Sequence, residues 1–411
     1  MSVNHDRRSP ESDRQTRGER GERSRYSGRS RYAGNDRPVR RMDRADAEWE
    51  ARKRAREAEA LKRKKKKRRK RILITVEILI LLVLIGGAFI LSKLGKLNFT
   101  GLGNVTTYAD SGPYTNIALF GLDSRDGELS GGVNSDTMII ASINNSTKEV
   151  KMVSVYRDTY LQQADGSYFK ANSAYCTGGA QAAVNMLNKN LDLDIKNYIS
   201  INFKALITVI DDLGGIDLDL TAEEAFWLDG YINETAEAAG TTSSLLPDEN
   251  GGTYKLNGVQ ATAYCRIRYT QGNDFKRTER QRTVLSKIIE KTKSANILTV
   301  NKIVDDVFPQ ISTSLTSAQI LSMAVHAGKY TISETQGFPY DVDPSWIDAS
   351  GANCVVPIGL SQNVARLHAF LFPDQNYTLS DEVKAINDEL IKKTGVNPAD
   401  YTLSSDASTG N

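Results

Sequence analysis

Cysteine and histidine are scarce in this chain of 411 residues, with three of each. Cys176, Cys265 and Cys354 lie far apart, which excludes a disulfide-dense scaffold, and no zinc-type Cys/His spacing occurs. A Ser-His-Asp triad has no support, because His326 and His368 stand isolated. A glycine-rich phosphate loop or dinucleotide fingerprint ahead of a helix is missing as well. Long apolar runs are also lacking, with one exception, and a mean hydropathy of −0.41 excludes a polytopic membrane protein. The length allows two or three domains of ordinary size.

Charge is present in quantity but unevenly placed. Residues 1–71 carry 27 Lys and Arg against 12 Asp and Glu, whereas the other 340 carry 26 against 38. The acidic bulk excludes a uniformly basic nucleic-acid binder, and no nucleic-acid partner is expected. Residues 1–50 are rich in Arg, Asp, Glu, Ser and Gly and have too little apolar surface to offset chain entropy, so they read as disordered. Residues 45–70 carry helix formers with acid–base pairs at helical spacing and can continue a membrane helix inward.

The one apolar run is Ile72–Ser92, 21 residues with the single charge Glu77 near its start. At about 1.5 Å per residue it spans a hydrocarbon core of about 30 Å. It lacks the polar face of a globular helix and the cleavage site of a signal peptide, so it reads as an uncleaved signal anchor. Ten uninterrupted basic residues, Lys62–Arg71, precede it, and only Lys93 and Lys96 follow closely. That asymmetry puts the N-terminus in the cytoplasm and the rest outside a plasma membrane crossed once. The expected layout is a cytoplasmic tail at 1–71, the anchor at 72–92, a linker at 93–113, a catalytic domain at 114–402 and a frayed tail at 403–411.

The outer portion has an α/β pattern. Asn116–Phe120, Thr137–Ile143, Val150–Val155 and Tyr198–Phe203 suit strands, and Asn144-Asn145-Ser146 suits a hairpin turn. Helices are expected over Ala180–Leu191 after a break at Gly178-Gly179, over Phe203–Leu213, Asn257–Tyr269 and Lys276–Lys291, and in parts of 295–330. Polar residues gather in three places. Asp123, beside Arg125, follows one strand and Asp136 opens the next; they either converge on a divalent ion or each cap a turn. Arg157 and Asp158 end an apolar strand, as a phosphate contact or a surface ion pair. Arg266, Arg268, Arg277, Arg280 and Gln281 fall within sixteen residues of an otherwise acidic region, where guanidinium forks suit phosphate oxygens.

Taken together, GLDSR (121–125), SDTM (135–138), SVYRDT (154–159), KANSAYCTGG (170–179), DLGGIDLDL (212–220) and RIRYTQGNDFKRTERQ (266–281) resemble the LytR-CpsA-Psr family, over a motif core of about 116–291. The resemblance implies an extracytoplasmic α/β/α domain on a central mixed sheet. It also implies a phosphotransferase that moves a glycopolymer, of teichoic acid or capsule type, from undecaprenyl pyrophosphate onto peptidoglycan with Mg²⁺ or Mn²⁺. By the same resemblance Asp123 and Asp136 are the metal acids. Arg157, Arg266, Arg268, Arg277 and Gln281 contact pyrophosphate, with Arg125, Lys170 and Arg280 at the substrate and Asp158 a candidate for the proton. Asn134 and Tyr156 stand where the family often has Arg and Pro. A polyprenyl-pyrophosphate pyrophosphatase and a non-enzymatic lipid-carrier-binding or regulatory protein are the alternatives. No essential thiol chemistry is expected, and a Cys176–Cys265 bridge is left open.

Overall fold

A computed structural model describes residues 44–124, 128–270 and 273–403. The expectations for the N-terminal tail before Arg44, for Arg125 and for the last eight residues lie outside them. The described residues fall into two units, divided between Ile80 and Leu81. The described part of the first is helical: α1 begins at Arg44 and continues to Leu94, 51 residues in all. Its segment Ile74–Leu94 is long and apolar enough to cross a membrane. Leu79, Leu82, Leu84 and Leu91 are exposed along it, unlike the side chains of a core helix.

The second unit alternates strands and helices. In chain order it contains β1 (Asn98–Phe99), β2 (Tyr114–Leu122), β3 (Ser135–Asn144), β4 (Glu149–Val155), β5 (Tyr160–Gln162) and β6 (Tyr168–Lys170), followed by α2 (Ser173–Leu191). Next come β7 (Asn197–Asn202), α3 (Phe203–Asp212), β8 (Ile216–Leu220), α4 (Ala222–Ala238), β9 (Gly252–Leu256), α5 (Gly258–Tyr264), α6 (Asn273–Ser294) and α7 (Ile297–Val307). The chain ends through β10 (Ile311–Thr313), α8 (Ser317–Val325), β11 (Thr331–Phe338), β12 (Val342–Ile347), β13 (Ala352–Pro357), α9 (Leu360–Leu371) and α10 (Asp381–Thr394). Seven strands form one mixed sheet in the order β1-β10-β7-β2-β3-β4-β11. β2, β3 and β4 pair antiparallel, with β7 and β11 parallel to their neighbours β2 and β4.

Period-two alternation gives each central strand two apolar faces. Ala118, Phe120, Met138, Ile140 and Val153 point to one core, shared with Val184 and Leu187 of α2, Leu367 of α9 and Ile386 of α10. The opposite face, with Ile117, Ile139, Ala141 and Met152, meets Leu285 of α6 and Ile320 and Met323 of α8. A separate cluster joins α3, α4, α5 and α6 with the antiparallel β8–β9 pair through Ile210, Ile216, Leu228, Leu256 and Ile288.

Local differences from the sequence reading have clear causes. The break at Gly178-Gly179 lies inside α2, because residues from Ser173 onward are already helical and only these two leave helical dihedrals. A Cβ at Gly179 would sit 2.5 Å from the Ser130 carbonyl oxygen. The helix expected at 257–269 stops at Tyr264, where the N–H groups of Arg266 and Ile267 turn to carbonyls three residues back, Ala263 and Tyr264. Within the expected linker, Asn98–Phe99 pairs with β10, and Leu94 and Leu97 are buried. All three cysteines are free.

Candidate active site

A cavity of about 680 Å³ lies between the second face of the sheet and the helices α3, α4 and α6. Its depth is apolar. Leu119, Ile139, Ile199 and Ile201 come from alternate positions of β2, β3 and β7, and Leu206, Val284 and Leu285 come from α3 and α6. Its rim is polar, carrying the charged Asp123, Asp136, Arg157, Glu234, Arg266, Arg268 and Arg277 and the neutral Gln281.

Backbone geometry sets up the acids. Gly121 pairs with Thr137 but Leu122 pairs with Ser135, so the register skips Asp136. Such a bulge re-aims a side chain, and here the consecutive residues Asp136 and Thr137 both face the cavity. Asp123 continues the odd-numbered face of β2, one residue past the strand, and its N–H donates to the Asn134 carbonyl at 3.1 Å. Gly121 leaves room for this crossing: a Cβ there would meet Thr137 Cβ at 2.9 Å.

Asp136 gathers the guanidiniums. Arg157 Nη1 donates to both its carboxylate oxygens, at 2.9 and 3.1 Å. Arg268 Nη2 lies 3.9 Å from Oδ2 and Arg277 Nη2 4.0 Å from it. Arg277, 2 % exposed, also donates to the Asp136 carbonyl at 2.6 Å. Arg266 completes the rim: its Nη1 donates to Thr235 Oγ1 at 2.7 Å, and its guanidinium stands 5.7 Å from the Phe203 ring centroid. Three guanidiniums around one carboxylate leave net positive charge on a half-enclosed wall. Such a wall favours a polyanion with several oxygens, phosphate above all.

Other expected residues are placed differently. Arg280 is not at the cavity. Its Nε donates to Glu224 at 2.8 Å, Nη1 to the Ile267 carbonyl at 3.0 Å and Nη2 to Thr270 at 2.5 Å. Glu224 also closes the capping box of α4 with Thr221, so Arg280 ties α6 to α4 and holds the loop carrying Arg268. Asp158 and Lys170 form a pair at 3.0 Å behind Arg157, with Asp158 Oδ2 3.4 Å from Arg157 Nε. Neither lines the cavity, so they position Arg157 rather than face the site. Gln281 does line it. Its Nε2 donates to the Cys265 carbonyl at 3.4 Å, and its buried Oε1 has no partner among the described residues. Burial pushes the Cys265 thiol up to about 12, which keeps it inert.

Phe203, Tyr231 and Glu234 are among the lining residues that sequence reasoning misses. Tyr231 and Glu234 stand three apart on α4, with Trp227 a turn earlier, a stripe visible in AEEAFWLDGYINETAEA. The Tyr231 hydroxyl accepts the Arg268 N–H at 3.1 Å.

A metal ion would find two carboxylates here, Asp123 and Asp136, on one cavity wall. No group of three or more His, Cys, Asp or Glu that suits a metal occurs among the described residues. Two acids without a closed cage fit Mg²⁺, which keeps waters and takes substrate phosphate oxygens as its remaining ligands.

An apolar pocket edged by arginines thus sits on a seven-stranded mixed sheet. Residues 94–356 match the family described as LytR_cpsA_psr, and the chain belongs to that family. It is 35 % identical over 183 residues to the Enterococcus faecalis polyisoprenyl-teichoic acid–peptidoglycan teichoic acid transferase TagU, covering 44 % of this chain and 54 % of that one. It is equally 35 % identical over 193 residues to biofilm regulatory protein A of Streptococcus mutans, covering 44 % and 45 %. The chain thus spans about half the length of these curated relatives. The crystal structure of a Streptococcus agalactiae protein shares the fold, with a TM-score of 0.55 and 24 % identity over 65 % of this chain and 91 % of that one.

Proposed function

We propose that this protein is a membrane-anchored transferase that moves an anionic glycopolymer from undecaprenyl pyrophosphate to peptidoglycan. The observation that carries the reading is the cavity's division into an apolar depth and an arginine rim. An isoprenoid chain gains roughly 25 cal/mol for each Å² that it buries in the depth, while its pyrophosphate stays at the rim. A soluble sugar phosphate would leave Leu119, Ile199 and Leu206 without an apolar partner. The basic run Lys62–Arg71 ahead of the apolar segment supports a cytoplasmic N-terminus and a site outside the plasma membrane.

In the reaction a hydroxyl of the acceptor sugar attacks the phosphorus bonded to the polymer. A new P–O bond forms, the bond to the bridging oxygen breaks, and undecaprenyl phosphate leaves with that oxygen. Arg157, Arg268 and Arg277 hold the equatorial phosphate oxygens and stabilise the charge that builds there. Asp136 orients the three guanidiniums before substrate arrives, and the Asp158–Lys170 pair steadies Arg157 from behind. Asp123 and Asp136 would hold Mg²⁺, which supplies neutralising charge to the pyrophosphate. The hydroxyl proton passes to a carboxylate at the rim; Asp123, Asp136 and Glu234 are on the cavity wall, with Asp136 already held by Arg157.

The test is polymer transfer by the full chain in proteoliposomes with a lipid-linked donor. Arg157→Lys, Arg266→Lys, Arg268→Lys and Arg277→Lys keep charge but lose the fork, and each should slow transfer by roughly 30–1000-fold. Near-wild-type transfer in all four would remove the rim from the reaction. Polymer release without acceptor, at the rate seen with it, would make the protein a pyrophosphatase instead.

A further inference from the structure

Beyond the arginines, the cavity mouth continues outward into a strip of aromatic rings that the phosphate and lipid chemistry leaves unused. Tyr231 and Tyr269 line the cavity with ring centroids 6.2 Å apart. Trp227 lies against Tyr269 at 5.1 Å, tilted 38°, and Phe226 meets Trp227 edge-on at 5.3 Å. The outer members are open to solvent, with Tyr269 68 % and Phe226 55 % exposed. Trp227 and Tyr231 pack partly on the neighbouring core, whereas Phe226 and Tyr269 leave their rings open, and exposed rings at the edge of a pocket mark a ligand groove. Exposed Glu234 stands at the same wall beside Tyr231, 3.8 Å from Arg266 Nη2, so the strip offers ring faces next to a charged pair that can meet hydroxyls.

Sugars fit that pairing of chemistries. A pyranose has an apolar C–H face that packs on an aromatic ring, and a hydroxyl edge that needs polar partners. An isoprenoid would use the rings but make no use of the Glu234–Arg266 pair. We propose that Phe226, Trp227, Tyr231 and Tyr269 form a platform on which the pyranose rings of the acceptor glycan stack. The proposal rests on the transferase reading and deepens it. The donor's own sugar is already tethered through the pyrophosphate and needs no further affinity to stay near the rim. The acceptor arrives by diffusion and must be held while its hydroxyl lines up with phosphorus, so a separate binding surface serves it most.

The experiment titrates the full chain in nanodiscs with a β-1,4-linked N-acetylglucosamine tetrasaccharide, read by tryptophan fluorescence. The wild type should show a shift that disappears in Trp227→Phe, which keeps a ring but removes the reporter. Tyr269→Ala should weaken tetrasaccharide affinity roughly 3- to 10-fold, and Tyr269→Trp should restore it. In transfer assays the acceptor KM should rise by the same factor, with kcat changed much less. Unchanged tetrasaccharide affinity in the Phe226→Ala, Tyr269→Ala double variant would overturn the platform. So would a double variant that keeps the tetrasaccharide but loses octaprenyl pyrophosphate, since the strip would then belong to the lipid. The titration needs no donor, so a wild type that never transfers polymer would fail the transferase reading by a different measurement.

Discussion

The two faces of the central sheet are made by the same strands and do opposite work. On one face Ala118, Phe120, Leu122, Met138 and Ile140 are sealed under α2, α9 and α10, and Phe120 meets Tyr175 edge-on at 5.3 Å. On the other, the alternate residues Leu119, Ile139, Ile199 and Ile201 look into a cavity. Helices α3, α4 and α6 do not close over them because these helices pack chiefly on each other and on the β8–β9 pair. The difference teaches that one apolar alternation can supply both a core and a lipid-sized hollow. Which it becomes depends on whether the covering helices spend their apolar face on the sheet or elsewhere.

The largest effect should come from breaking the charged rim of the open face. Asp136→Asn removes the carboxylate that collects Arg157, Arg268 and Arg277, and with it one of the two metal-type acids. Transfer should fall by about 1000-fold or more, and Asp123→Asn should fall nearly as far with a raised Mg²⁺ requirement. Initial rates across a Mg²⁺ series check this; rates unchanged at limiting Mg²⁺ in both variants would separate the acids from the chemistry.

A matched pair of substitutions on β2 sharpens the comparison. Phe120→Ala empties a sealed position, 1 % exposed, and should cost about 3–5 kcal/mol in urea unfolding. Leu119→Ala, one residue away, widens a space that is already hollow, so its cost should stay near ~1 kcal/mol. Affinity for octaprenyl pyrophosphate should move the other way, falling several-fold in Leu119→Ala. Equal stability losses would mean that the open face is packed as tightly as the closed one.

Much of this was legible in the chain. Strands β2, β3, β4 and β7 follow from short apolar runs and the turn at Asn144, and α6 from its helical period. The rim was legible as a list of arginines but not as a sorting of them. Arg277 and Arg280 sit three apart on α6, yet one reaches Asp136 and the other reaches Glu224, fifty-six positions upstream. No local pattern encodes a partner so distant. The same holds for β8 and β9, whose register joins Ile216 to Leu256 across all of α4, and for β11, which reaches β4 from far down the chain. The skipped residue at Asp136 is a property of the pairing, invisible until Leu122 is seen opposite Ser135.

The smallest expected effect lies at the edge of the sheet, where Lys93 and Lys96 meet α7. Lys93 and Lys96 both reach Asp305 on α7, at 2.6 and 2.8 Å, while Asn98–Phe99 adds a short parallel strand at the sheet edge. Hydrogen bonds from Lys93 and then Lys96 bring the Asp305 carboxyl down from 3.8 to about 2. A carboxyl whose folded value is depressed stabilises the fold above its unfolded value, and that contribution is lost as pH falls through the folded one. The tie should therefore hold unchanged from pH 7 to about 5 and loosen between about 4 and 2. Nitroxide labels at Ser92→Cys and Ile297→Cys, in a chain whose native cysteines are serine, report it as a distance distribution. That distribution should be narrow at pH 6 and broaden below pH 4, and Asp305→Asn should broaden it at every pH. The broadening should be modest, because the β1–β10 pairing and buried Leu94 and Leu97 carry no titrating group and persist. A distribution that stays equally narrow in Asp305→Asn would assign the joint to that apolar and backbone contact alone.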